Sequence, residues 1–162
     1  MGLAMSMSPD NKNQSSDVVI TPGIGAMGFR DLLGFELIEW SNDWAVVDLE
    51  LNTHLNRNQY VHGGAIMSLL DSACGFSGVY CEVPGNVRRC ITISLNTHFV
   101  KPVSEGVLRA EARVISRGRK IFFVEAKVFN KGILVATGAG TFRYVAGGGD
   151  EQGVPEHSDK AP

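Results

Sequence analysis

His62-Gly63-Gly64 opens an apolar stretch that carries one acid, Asp71, before Glu82 is reached. Glycine brings bare backbone against a ligand, and the first turn of a helix has unpaired N–H donors and a partial positive charge. An oxyanion is stabilised at such a place, which makes Gly63 the candidate donor. Asp71 is the candidate nucleophile, or the general base that activates water. It follows Gly63 by eight residues. At about 1.5 Å of rise per residue, it therefore lies roughly 12 Å farther along one helix. Groups acting on one carbon must approach it to about 3 Å. If Gly63 and Asp71 act together, the helix of a second subunit must lie antiparallel and supply the missing partner.

Other residues near this pair have chemistry to offer, each with a plainer alternative. His62 serves as a general acid or ligand, or only holds a loop through its ring nitrogens. Asn56 orients a water or a substrate carbonyl, or is a turn residue. Thr92 reaches a catalytic water or the carboxylate, or is a strand threonine facing solvent. Arg88-Arg89 and Arg117-Gly118-Arg119-Lys120 are basic clusters before and between strands. Such clusters hold the phosphates of an anionic tail, or are solvated turns.

The elements that must position these residues are read from periodicity. Phe35–Trp40 and Trp44–Asn52 alternate as strands around Ser41-Asn42-Asp43, and Phe29–Leu33 is a short leading helix. From Gly63 to about Glu82 the period changes, with Ile66, Leu69, Leu70, Ala73 and Phe76 at helical spacing. Met67, Asp71, Cys74, Gly75 and Gly78 mark a second face, whose small residues admit another backbone. Pro84-Gly85-Asn86 ends the helix. Arg89–Val100, Gly106–Ser116, Lys120–Asn130 and Ile133–Tyr144 then read as strands of an antiparallel meander. In the first of these, Ile91, Ile93, Leu95 and Phe99 alternate with Thr92, Ser94, Asn96 and His98, two opposite faces at period two. The fold class is α+β, a curved antiparallel sheet wrapped around one long helix.

With 162 residues, 44% of them hydrophobic, and a net charge of −2, the chain is expected to form one domain over residues 21–145. Polar composition marks 1–20 and 146–162 as tails. That charge gives no nucleic-acid surface, so a small-molecule partner is expected. Cys74, Cys81 and Cys90 lack paired metal spacing and are odd in number, pointing to reduced thiols in the cytoplasm. No apolar run reaches the length of a membrane span.

Asn56, five residues, His62-Gly63-Gly64, six residues, Asp71, then Thr92-Ile-Ser-Leu-Asn-Thr-His-Phe-Val-Lys-Pro102 resembles the hotdog-fold acyl-CoA thioesterases of the phenylacetate-degradation (PaaI-like) type. The resemblance covers about residues 33–144. It implies a hotdog dimer with two helices side by side within a continuous sheet, and dimers often pairing into tetramers. By that similarity Asp71 takes the place of the catalytic carboxylate and Gly63 that of the donor to the thioester carbonyl. Asn56 and Thr92 match positions assisting water and carboxylate, and His62 one that shapes the loop. Gln59 stands where the family usually has glycine. The implied reaction is hydrolysis of an acyl-CoA to free acid and CoA without a metal or cofactor, the basic residues Arg88, Arg89, Arg117, Arg119 and Lys120 holding the CoA moiety. A leaving thiol with a pKa of about 8.5 needs little protonation. The alternatives are hydration or dehydration of an acyl thioester, which His62 keeps open, and a non-catalytic acyl-CoA-binding module.

Overall fold

The computed structural model describes residues 28–51, 59–145 and 147–157. Its elements run α1 (Phe29–Leu33), β1 (Phe35–Ser41), β2 (Trp44–Glu50), α2 (Gly63–Gly78), β3 (Asn86–Val87), β4 (Arg89–Phe99), β5 (Val107–Arg117), β6 (Ile121–Asn130), β7 (Ile133–Val145) and β8 (Val154–Pro155). Six strands form one antiparallel sheet in the order β1-β2-β5-β6-β7-β4, while β3 and β8 form a separate pair. Helix α2 packs against all six strands of the large sheet. This is the α+β arrangement of a sheet curved around one long helix, the hotdog fold that the residues above imply.

Strict alternation builds the sheet. Along β6, Phe122, Val124, Ala126 and Val128 are buried, whereas Ile121, Phe123, Glu125 and Lys127 are exposed. Facing them, Ile66, Leu69, Leu70, Ala73 and Cys74 of α2 are buried. Each large apolar side chain in this core contributes about 1.5–3 kcal/mol relative to exposure. Small residues let the helix settle close to the strands. A Cβ on Gly138 would lie 3.3 Å from Leu70 Cδ2, and one on Gly78 would run into the Phe122 ring.

Four features depart from the sequence expectation. The last four strands are not one meander, because β4 pairs with β7 and not with β5. One side of β5 is taken by β2 and the other by β6. The two-residue turn Lys131-Gly132, both at positive φ, locks β6 to β7. The outer side of β7 is then the free edge of this group, and β4 fills it.

Helix α2 also stops at Gly78, short of Glu82. Its terminal carbonyls are capped from the sheet, with Trp40 Nε1 donating to the Phe76 oxygen at 2.8 Å and the Tyr144 hydroxyl to the Gly78 oxygen at 3.0 Å. Cys74 and Gly78, expected on a face for a second backbone, are buried in their own core. Finally, residues 147–157, placed by composition in a tail, fold back on the body. Val154 pairs with Val87, and Asn86 Nδ2 donates to the Gln152 oxygen at 2.7 Å. Residues 1–20 lie outside the described residues.

Candidate active site

At the start of α2, His62 is the N-cap, its extended backbone (φ −65°, ψ 132°) turning the chain into the helix. Its ring Nδ1 accepts from the Gly64 N–H at 2.9 Å, and its carbonyl accepts from Ala65 N at 2.9 Å. The imidazole thus caps the helix start through Nδ1, a contact that fits the loop-holding reading of His62. The Gly63 N–H has no acceptor among the described residues. It sits against the exposed ring of Phe99, where a Cβ on Gly63 would lie 3.3 Å from Phe99 Cζ. The result is a free donor at the positive end of a helix, walled on one side by an apolar ring.

Two turns on, Asp71 is half-buried and accepts at Oδ1 from the Thr92 hydroxyl at 2.7 Å. Oδ2 has no donor among the described residues. Thr92 reaches the helix because β4 is irregular. Thr92 pairs with Phe142 and Ser94 with Thr141, leaving Ile93 as the extra residue of a bulge. The bulge reverses the alternation, which corrects the two-face reading of this strand. Thr92, Leu95, Thr97 and Phe99 are opposite the helix-facing Phe142, Gly140, Gly138 and Ala136, while Ile91 and Ile93 are exposed.

Two thiols complete the surroundings of the carboxylate. Burial, reinforced by the negative charge of Asp71, pushes Cys74 and Cys90 up to about 12, and Arg88 only partly offsets this at Cys90. Both remain neutral near pH 7, so they line the site as small apolar groups and are not nucleophiles. Cys81, by contrast, is only partly buried beside the Glu151 and Gln152 carbonyls. A disulfide reagent at pH 8 should therefore label Cys81 first in the native protein, with Cys74 and Cys90 reacting only after denaturation. Rapid labelling of Cys90 in the folded protein would refute this protonation state.

The basic residues separate into two groups. Arg88 is 5% exposed; Nε donates to the Gly148 oxygen at 2.8 Å, Nη1 to the Tyr80 oxygen at 3.1 Å, and the guanidinium lies 4.8 Å over the Tyr144 ring. Arg117 is tied to Asp43 and, at 3.4 Å, to Asn42 of the β1–β2 turn. Both arginines fasten the chain to itself, Arg88 through Nε and Nη1 and Arg117 through Nη2, while Nε and Nη1 of Arg117 are buried without a hydrogen-bond partner among the described residues. Arg89 gives one donor to the Glu156 oxygen at 2.9 Å. Arg119 and Lys120 project from the β5–β6 turn and are exposed. Asn56 lies outside the described residues. Among the described residues, no group of three or more His, Cys, Asp or Glu side chains is placed to hold a metal ion, and no helix is long and apolar enough to cross a membrane.

Sequence reading missed Cys90 and Phe99 as neighbours of Asp71 and Gly63. The signal for Phe99 was its place at the end of an alternating strand, but the bulge that turns it toward the helix had none.

Residues 58–137 match the family model described as the thioesterase superfamily. A Thermoplasma volcanium protein that bears an esterase name is 34% identical over 79 residues, covering 49% of this chain and 57% of that protein. The chain thus spans less than two thirds of that relative's length. A conserved protein of Pseudomonas aeruginosa is 30% identical in structure-based alignment, with a TM-score of 0.65 over 74% of this chain and 95% of that one. A point mutant of the phenylacetic acid degradation protein PaaI from Thermus thermophilus is 25% identical, with a TM-score of 0.62 over 71% and 96% of the two chains.

Proposed function

Since the chain belongs to the thioesterase superfamily, we propose that it hydrolyses an acyl-CoA, of aryl or short to medium acyl chain, to the free acid and CoA. The observation that supports this most is the Asp71 carboxylate, oriented by Thr92 at 2.7 Å with its second oxygen free. In the proposed reaction, the Gly63 N–H and the helix start bind the thioester oxygen. Asp71 attacks the carbonyl carbon or takes a proton from the water that does. Charge moves onto the carbonyl oxygen, is held there by the N–H, and returns as the carbon–sulfur bond breaks and the thiolate leaves. Where Asp71 attacks first, water then cleaves the mixed anhydride. Asn56 is proposed to assist the water or carbonyl, and His62 to hold the donor loop.

The proposed active unit is a homodimer, and pairs of dimers form a tetramer. The separation of roughly 12 Å between Gly63 and Asp71 along one helix supports a site assembled from two chains. So does β4, an eleven-residue strand at the end of the sheet with Ile91 and Ile93 exposed. A second copy of this edge across a two-fold axis extends the sheet and covers unpaired backbone. The three unbridged cysteines support a cytoplasmic location.

The test is a panel of aromatic, short-chain and long-chain acyl-CoA esters, with released thiol followed continuously. Turnover of at least one class is expected. Thioesters that bind and never release thiol would establish a binding module instead, and consumption of an enoyl thioester with CoA still attached would establish hydration.

A further inference from the structure

We infer that Met67 of α2 stands on the two-fold axis of the proposed dimer, meets Met67 of the second copy there, and closes the acyl end of both sites, so that it sets the length of acyl group accepted. This rests on the thioester reading and deepens it by limiting the acyl group to a short chain or a single ring. Gly63, Met67 and Asp71 are spaced by four residues and form one stripe along the helix. If Gly63 of one chain serves Asp71 of the other, the two helices are antiparallel, with Gly63 level with Asp71. Met67 is halfway between these residues, so it is level with its own copy.

The strand beneath the helix points to the same axis. Thr92 of β4 holds Asp71 at 2.7 Å, and Phe99 lies against Gly63, where an added Cβ would be 3.3 Å from the ring. Leu95 and Asn96 therefore lie near the level of Met67, close to the middle of the edge strand Arg89–Phe99. Pairing β4 with its own copy about that point brings Thr92 beside Phe99 of the second copy. One axis thus serves both elements, and it carries the ring that flanks the donor to the carboxylate.

The composition of α2 says what covers this face. Its 16 residues include one charge, Asp71, whereas a helix bordering solvent carries polar and charged residues on its outer side. Met67 is the large apolar side chain that α2 leaves exposed, at 40%. Beside it, Ser68 turns its hydroxyl onto its own helix, donating to the Gly64 oxygen at 2.9 Å. The same uncharged face of a second copy is the occupant that fits, and the unbranched thioether of methionine adapts to its mate. This pair then bounds the substrate. The CoA end must reach solvent, away from the axis, and beneath the helix Leu69, Leu70 and Ala73 fill the core with 0% exposure. Toward the axis, Met67 lies about 6 Å along the helix from the reacting carbon. That distance admits a short chain or one ring and stops a long chain.

The test uses the full chain with Cys81→Ser, which removes the accessible native thiol. In that background, Met67→Cys treated with a short bismaleimide should give a covalent dimer, because its two thiols face each other at the axis. Ser72→Cys should give none, since its two copies lie roughly 15 Å apart along the helices. In turnover, Met67→Ala should raise kcat/KM for a long-chain acyl-CoA about tenfold or more relative to a short-chain one, and Met67→Phe should shift preference to shorter chains. No covalent dimer from Met67→Cys, or equal cross-linking of Ser72→Cys, would overturn the placement on the axis. An unchanged length profile in both Met67→Ala and Met67→Phe would overturn the role in specificity. Thioester hydrolysis alongside either result leaves the hydrolytic reading standing. A covalent dimer without hydrolysis of any thioester sinks that reading instead; the same length shift read in acyl-CoA affinity would then support Met67, and its absence would overturn it.

Discussion

Asp71→Asn is expected to lower kcat for the preferred thioester by on the order of a hundredfold or more, with little change in KM. Asparagine keeps the size of the side chain and an oxygen able to accept the Thr92 hydroxyl, now bonded at 2.7 Å. What disappears is the second carboxylate oxygen, the one proposed to attack or to take the proton. The fold should survive, since Asp71 is only half-buried and has no cation paired with it among the described residues. An independent readout accompanies the loss. Asp71 is one cause of the raised Cys90 thiol, so removing its charge should bring the onset of Cys90 ionisation to lower pH. Near-normal turnover in a variant with this thiol signature would remove Asp71 from the chemistry and leave a binding module.

Complementation between two inactive chains is expected to restore activity toward half of wild type per dimer. The first chain is Asp71→Asn and the second Gly63→Pro, which deletes the proposed N–H donor. Gly63 is the first residue of α2, where proline is tolerated because that N–H has no intrahelical partner. His62 before it is already extended at φ −65° and ψ 132°, the conformation that a residue preceding proline prefers. The added ring meets Phe99, whose side chain is 53% exposed and free to yield. Mixing and refolding the chains gives heterodimers. If Gly63 of one chain serves Asp71 of the other, one site in each heterodimer carries both lesions and the other carries none. If both groups act within one chain, every site is damaged and the mixture stays inactive. Circular dichroism and light scattering on each variant alone establish that both fold and dimerise. Well-folded heterodimers without recovered activity would refute the shared site.

The sequence by itself determined the elements and the candidate pair. Period-two burial along β6 and helical spacing from Ile66 to Ala73 are properties of neighbours in the chain, and the structure places β6 and α2 on those residues. The distance between Gly63 and Asp71 is likewise local, because the rise of a helix is constant. What only the tertiary structure decided involves partners far apart in sequence. Arg88 looks like a free cation until the Gly148 carbonyl, sixty residues on, accepts a hydrogen bond from its Nε–H. The polar segment 147–157 looks mobile until β8 finds β3. Thr92 meets Asp71 only because β4 slips by one residue at Ile93 when it pairs with β7. A bulge adds one residue on one side of a ladder, so its position depends on the register of both strands, and neither strand's own pattern contains it.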